Sequence, residues 1–444
     1  PFGIRSVAQL ELINWNRESL DTRTVIRGNM NHMQFPYLST SAVTGKYHWT
    51  QTHDLNGNGK SYTPIAEYYD ATSNKLGNLY GWFGGSYNGQ DYVIENVSVQ
   101  GQQSSCAGLF GVVYGGTLEH IILYDSEGTG TIQSYSGDTS NSCWYAIGAL
   151  AGVAAGGRVD NCAVAGYTIQ ADVRIDKGGW GGSGIGGLVG ISHLNLENCS
   201  AVTDIVIPKT SNSNDNMRVG GLVGTCQGSI TGCYAGGKIE VSPEITIANG
   251  AAVYIGGIVG GSYLKPLTIG GGSTPSIGIV GGGAGNSAKN ETNNSLSSCY
   301  SYVTLPARDP GGKIKSLYAV GGTGELNDAT VNKNDNKANH GVCTMTNCFY
   351  LASEVLANNG GKLSGNVNGS GNQLKTDVNL GNGAQILSLD YPQLSGEAAV
   401  TVNGTTLDSI YGFLTSYRRV TTSVLTAGGD FAVNGKYSYP PASR

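Results

Sequence analysis

An all-β, right-handed β-solenoid is the fold this sequence predicts, and three observations predict it. The first is a repeated hexapeptide: a small or branched residue, Gly, Gly or Ala, an aliphatic residue, a variable residue, Gly. Its copies are Cys106-Ala107-Gly108-Leu109-Phe110-Gly111, Ile147-Gly148-Ala149-Leu150-Ala151-Gly152, Ile185-Gly186-Gly187-Leu188-Val189-Gly190, Val219-Gly220-Gly221-Leu222-Val223-Gly224 and Ile255-Gly256-Gly257-Ile258-Val259-Gly260, with closing glycines 41, 38, 34 and 36 residues apart. A period of this length marks stacked units, none of which can bury its own apolar face. The second observation is an in-phase segment ending in cysteine: Val159 to Cys162, Leu196 to Cys199, Ile230 to Cys233, Leu296 to Cys299 and Met345 to Cys348. The third is local. Short stretches such as Thr203 to Ile207 and Lys238 to Val241 are β-branched and alternate with period two, and apolar residues nowhere recur at three and four over a dozen positions. The 70 glycines suit turns and would weaken helices.

Taken in chain order, residues 1–60 read as an N-terminal cap. Ala8 to Ile13 is the early stretch that resembles a short helix, with Ser6 as its N-cap. A solenoid must cover its first coil, because bare strand edges pair with other chains. Residues 61–350 are the repeats: Tyr80 to Gly85 and Ile94 to Val99 form the first coil, and insertions interrupt the series near 262–295 and 305–341. Residues 351–444 are a loop-rich connector and a far cap, with strand character at Ala399 to Val402 and mixed character at Leu407 to Leu414. In such a fold Leu109, Leu150, Leu188, Leu222 and Ile258 point inward and near one another. Cys162, Cys199 and Cys233 stack as buried thiols, small apolar residues in an interior ladder. Disulfides among the nine cysteines are the alternative, whose connectivity the sequence does not give. Zinc is disfavoured, since no Cys-x2-Cys pair exists and no His stands at ligand spacing from a cysteine cluster.

Composition excludes several functions. With a net charge of -5, 13% charged residues and no basic run, no phosphate-tracking surface is available, so nucleic acid is not an expected partner. No stretch of 18 apolar residues could enter a bilayer. The chain opens on Pro1 without an initiator Met, as a processed segment does. Low charge with abundant Asn, Ser, Thr and Gly and 25 tyrosines suits an extracellular protein.

The repeated Gly-Leu-x-Gly, the leading Phe2-x-Ile4-x-Ser6-x-x-Gln9-Leu10, Pro64-Ile65 ahead of Gly81 to Gly89, and the Asn-Cys strand after each motif resemble the GLUG-motif proteins. The likeness covers about residues 1–350. It implies a secreted or surface-anchored β-helical region of the kind found in Bacteroidota and in IgA-specific metallopeptidase-like surface proteins. Peptidases of that kind use a His-Glu-x-x-His zinc helix. The six histidines of this chain precede Met33, Trp49, Asp54, Ile121, Leu194 and Gly341, so that chemistry is absent from these 444 residues.

Other chemical signals are weak. Gly179 to Gly184 and Gly182 to Gly187 fit Gly-x-Gly-x-x-Gly, but no helix follows to present its N-terminus to a phosphate. Asp54 to Gly59 matches half a calcium loop, yet position twelve is Ile65 and not Glu, so an Asn-Gly turn is the better reading. A polysaccharide lyase or glycosidase is the enzymatic rival, and it needs paired carboxylates or an acidic calcium site beside a base. Its candidates are Asp160, Asp172, Asp176 and Asp204 with Arg158, Arg174 and Lys177; a solvated charged ladder explains the same residues. Aromatic residues supply the candidate binding surface: Trp144, Tyr145, Trp180, Tyr234, Tyr254 and Tyr263, which packing at coil edges explains equally well. The sequence is therefore read as a non-catalytic extracellular or cell-surface solenoid, an adhesin, stalk or fibre component. Such a module carries no catalytic, cofactor or metal residues, needs no cofactor, and has a surface glycan or protein, or a further copy of itself, as partner. The alternatives are a carbohydrate-active β-helix enzyme and an accessory region of a surface protease.

Overall fold

The structure, a computed structural model, describes residues 2–15, 48–66, 83–101, 106–134, 144–175 and 182–262 without 215, 227 and 249. Beyond these it describes 294–301 without 298, 303–306, 313–318 and strand segments at 343–346, 349–351, 373–375, 400–402 and 405–407. It is a parallel β-solenoid. Each coil runs through up to six strands, and equivalent strands of successive coils pair in register to build five stacked sheets. We call them sheets I to V in the order the chain meets them within a coil.

Sheet I holds nine strands, from Phe2–Ile4 and His48–Gln51 through Ser86–Asn88, Thr117–Glu119, Arg158–Asp160, Leu196–Glu197 and Ser229–Thr231 to Asn294–Ser297 and Cys343–Thr346. Its inward column is Trp49, Tyr87, Leu118, Val159, Leu196, Ile230 and Leu296, each directly paired with the next and all buried. Sheet II follows, with thirteen strands in two halves. Ile94, Leu123, Val164, Ala201 and Ala235 fill the core from the first half; Val99, Ile132, Ile169, Ile205 and Ile239 fill it from the second. Sheet III is short: Arg174–Ile175, Asn212–Ser213 and Thr246–Ile247. Sheet IV runs from Cys106–Ala107 through Trp144–Ile147, Gly182–Gly186, Met217–Gly220 and Val253–Gly256 to Ile314–Tyr318. Sheet V comprises Phe110–Tyr114, Ala151–Ala155, Val189–His193, Val223–Cys226 and Val259–Ser262.

The repeated hexapeptide is the corner between sheets IV and V. Leu109, Leu150, Leu188, Leu222 and Ile258 are buried there, as expected, and the backbone ties them together. Leu150 N–H donates to Leu188 O at 2.9 Å, Leu188 to Leu222 O at 2.9 Å, and Leu222 to Ile258 O at 3.0 Å. Burying each such side chain is worth roughly 1.5–3 kcal/mol. The closing glycine has a different purpose. A Cβ on Gly190 would lie 2.5 Å from Ile147 N, on Gly224 2.1 Å from Ile185 N, and on Gly260 2.3 Å from Val219 N. Sheets IV and V thus pack backbone on backbone across the coil stack, an approach that no side chain can share.

The first copy departs from the alignment the sequence suggests. Ala107, and not Cys106, pairs with Ile147, while Phe110 still pairs with Ala151. Its corner is one residue shorter, so Leu109 alone spans what Ala149 and Leu150 span in the next coil.

The corner between sheets I and II explains the Asn-Cys pattern. His120, Asn161, Asn198 and Gly232 occupy it in successive coils at φ of 55°, 50°, 52° and 63°. This left-handed region is open chiefly to Gly and Asn. The kink turns the next residue inward, and Ile121, Cys162, Cys199, Cys233 and Cys299 are all buried. The described cysteines Cys106, Cys162, Cys199, Cys226, Cys233 and Cys299 are buried thiols. Each ladder thiol donates to the carbonyl two residues back: Cys162 to Asp160 O at 3.3 Å, Cys199 to Glu197 O at 3.1 Å, Cys233 to Thr231 O at 3.2 Å and Cys299 to Ser297 O at 3.4 Å.

At the N-terminal end the helix spans Val7–Trp15. Ser6 caps it, its Oγ accepting from Gln9 N at 3.3 Å, while Gln9 Oε1 accepts from Arg5 N at 2.7 Å. Val7, Leu10 and Ile13 are buried in the main core, closing its end. In-register pairing starts at Phe2–Ile4, which pairs with Trp49 to Gln51; His48, Leu55–Asn56 and Ser61–Tyr62 in turn pair with Ser86, Ile94–Glu95 and Ser98–Val99. At the other end Gln373–Lys375 pairs with Phe349–Leu351, and Val400–Val402 forms an antiparallel pair with Thr405–Leu407.

Candidate functional site

The acidic candidates do not converge. Asp160 stands on sheet I, almost fully buried, and is gripped by Arg158 of its own strand at 2.7 Å, with Glu197 of the next coil 3.9 Å from the same guanidinium. Asp172 lies at the corner before sheet III, where Arg174 reaches it at 3.1 Å and Thr210 donates to it at 2.9 Å. Asp172 and Arg174 therefore share one face. Asp204, however, pairs in register with Thr168 and not with Asp172. Its neighbours are Lys238 N, donating at 3.3 Å, and Lys238 Nζ at 3.8 Å. Burial raises the Asp204 pKa, and attraction to Lys238 only partly opposes it. Asp176 and Lys177 lie outside the described residues. Each of the three described candidates, Asp160, Asp172 and Asp204, thus serves a local ion pair on a different stretch of the coil, not an acid–base pair facing one bond.

The described aromatic candidates lie inside. Tyr145, Tyr234 and Tyr254 are 1%, 2% and 5% exposed, which removes them from any flat binding platform. The Tyr145 hydroxyl meets Ser134 Oγ at 2.5 Å, and burial pushes its pKa upward. Trp180, Tyr263 and the Trp144 side chain lie outside the described residues. Of Asp54 to Gly59, Leu55–Asn56 is a strand and the turn follows at Asn58 and Gly59: Asn56 Oδ1 accepts from Asn58 N at 2.7 Å, and Asp54 Oδ1 from Val93 N at 2.8 Å. Among the described residues, no three His, Cys, Asp or Glu side chains are grouped to hold a metal ion.

One titratable pair stands at the sheet I–II corner. His120 Nδ1 is 3.2 Å from Asp91 Oδ1, and this hydrogen bond raises the imidazole pKa; Glu119 and Asp160 add attraction. A raised His pKa gives stability that is fully present below the unfolded value near 6.5 and is lost as pH rises through the folded value. Because His120 is 39% and Asp91 33% exposed, the contribution is about a few tenths of a kcal/mol. Asn, which stands at the equivalent Asn161 and Asn198, fits the backbone. His120→Asn is therefore expected to lower the melting temperature slightly at pH 5.5 and leave it unchanged at pH 8.5. A larger loss at pH 8.5 than at 5.5 would reverse the sign of this coupling.

The outward face of sheet II's second half was not singled out in the sequence, although a recurring tripeptide marks it: Ser98-Val99-Gln100, Thr131-Ile132-Gln133 and Thr168-Ile169-Gln170. The three strands are in register, so Gln100, Gln133 and Gln170 form one column and Thr131 pairs with Thr168 in another. Gln133 Nε2 donates to Gln170 Oε1 at 2.6 Å, and Ser98 Oγ accepts from Thr131 N at 3.2 Å. No charged group belongs to this patch.

This architecture is a parallel β-solenoid whose unit is a coil closed by a Gly-rich corner. The model of the GLUG motif matches residues 215–240, which hold the corner Val219 to Gly224 and the thiol of Cys233. At these residues the chain carries a GLUG motif. A crystal structure from Bacteroides ovatus, provisionally described as an immunoglobulin A1 protease, is similar over 92% of this chain and 91% of that one, at 14% identity and a TM-score of 0.47. No curated protein matches the chain.

Proposed function

We propose that this chain is a non-catalytic, extracellular or cell-surface β-solenoid that serves as an adhesin, stalk or fibre component. The observation that carries the reading is the pairing of every described acidic candidate with its own basic neighbour. Arg158 holds Asp160, Arg174 holds Asp172 and Lys238 faces Asp204, each at a separate place in the coil. Residues arranged in this way brace the coil surface and do not set one of these three carboxylates as acid opposite another as base. The stacked GLUG corners supply a rigid, elongated body, and the low charge and polar composition suit an extracellular setting. Neither IgA nor any peptide is an expected substrate, since the His-Glu-x-x-His pattern is missing from the sequence.

The test is a glycan panel incubated with the protein and read for new reducing ends, beside attachment of the protein to glycan-bearing surfaces. The wild-type chain should release none. The triple substitution of Asp160, Asp172 and Asp204 by Asn should leave attachment within about twofold. Cleavage by the wild type that disappears in the triple variant would establish the carbohydrate-active enzyme instead.

A further inference from the structure

We propose that the neutral face of sheet II, built from Ser98, Thr131, Thr168, Gln100, Gln133 and Gln170, binds a single extended, uncharged polyhydroxylated chain, a neutral polysaccharide lying along the solenoid axis. The proposal rests on the reading of the protein as an attachment module and gives that module its surface and ligand class.

Three features lead to this occupant. The first is chemistry. Val99, Ile132 and Ile169 point into the core, so the residues flanking them in each strand point out. Outside stand only hydroxyls and amides, which donate and accept, as sugar hydroxyls do. The 2.6 Å bond between Gln133 Nε2 and Gln170 Oε1 orients both amides and leaves Gln133 Oε1 and Gln170 Nε2 for a ligand. The hydroxyls of Thr131 and Thr168 have no protein partner among the described residues. The second feature is charge. The patch is uncharged, and it ends where Asp204 follows Thr168 in register and Lys238 and Glu240 follow in the next coil. An ionic polymer finds no counter-charge on it.

The third feature is size. Three coils at about 4.8 Å spacing and two side-chain columns cover a strip roughly 14 Å long and 10 Å wide. A stable protein interface needs about 800 Å² per partner, several times this area, so neither a second copy nor a folded protein is the occupant. A peptide strand would add to a sheet edge and not to a face. One extended polymer chain fits, with its repeating hydroxyls set against groups that repeat at the coil spacing.

The test is calorimetric titration of the full chain with neutral oligosaccharides of rising length and with an anionic polysaccharide for comparison. Affinity for the neutral series should rise with length until the strip is spanned and then level off. It should change little between low and high salt, because no charges are engaged. Gln133→Arg should weaken binding at least tenfold and Gln133→Ala less, with melting temperatures unchanged, while Ser229→Arg on sheet I should have no effect. Failure to bind any neutral glycan, or preference for the anionic polymer, overturns the proposal. If the wild type binds and Gln133→Arg binds equally, the face is wrong while the attachment reading stands; if the protein attaches to no surface at all, that reading fails as well.

Discussion

Replacing Gly224 by Ala should cost about 3 kcal/mol or more, enough to leave the protein largely unfolded or insoluble at 37 °C. The added Cβ would stand 2.1 Å from Ile185 N and 2.5 Å from Gly184 C, both backbone atoms of the facing strand in the preceding coil. A side chain can rotate away from such a contact; a paired backbone cannot. Overpacking in ordinary cores costs typically about 1–3 kcal/mol because neighbours yield, and in this corner the neighbour is held by sheet IV's own ladder. The effect spreads, since each coil is stabilised mainly by its nearest neighbours. Gly3→Ala provides the contrast: its nearest atom is a side-chain methyl of Thr52 at 3.6 Å, an ordinary contact, and its stability should stay within about 0.5 kcal/mol of wild type. Denaturant unfolding of both variants checks the pair. Equal midpoints would show that sheets IV and V can separate without penalty, and that the closing glycine is not what lets the two backbones meet.

The coil was legible in the sequence because its corners use residue types that few alternatives can replace. A glycine pressed on backbone, and an Asn or Gly in the left-handed region before an inward thiol, leave marks that survive changes in loop length. Their spacing therefore gave the corner leucines and the cysteine column correctly. The one-residue shortening at Leu109 was not legible, because Cys106 to Gly111 keeps the letters of the motif while sheet IV shifts its register by one. The coil at His48 to Tyr62 lacks a Gly-Gly-Leu corner of its own and shows only in pairing with Ser86 to Val99.

Surface chemistry was harder to read, for a related reason. Asp172 and Asp204 are 32 residues apart, but the coils here are offset by 36, Thr168 pairing with Asp204, so Asp172 stands four residues further along the coil. The tyrosines were ambiguous because a Tyr at a coil edge has the same neighbours in sequence whether its ring is packed or displayed. The Ser/Thr-x-Gln face repeats as regularly as the corners do. It escaped notice because its residues are ordinary one at a time and become a surface only when the strands are placed in register.

The second large effect is expected in the thiols. In the native protein, alkylation of Cys162, Cys199, Cys233 and Cys299 should be at least about a thousandfold slower than in denaturant. Two causes act together. Each sulfur is fully buried, so a reagent must wait for the coil to open, and opening a core element of a domain with about 5 kcal/mol of stability occurs in fewer than about one molecule in a thousand. Burial also disfavours the thiolate, the reacting form: Cys233 is held well above the usual thiol range by desolvation and by Cys199 beside it, and Cys226 on sheet V is pushed up to about 12. The packing is close enough for Cys233 Sγ to accept from Cys199 N at 3.2 Å, tying one coil to the next. Serine at 199 could keep the bond to Glu197 O but would place a hydroxyl among apolar neighbours, so Cys199→Ser should lose about 1–3 kcal/mol and label its remaining ladder thiols faster. Mass spectrometry after timed alkylation, site by site, reads both outcomes. Prompt modification of the ladder in the folded protein, or a mass deficit showing disulfides among these cysteines, would mean that the column is not a dry interior stack.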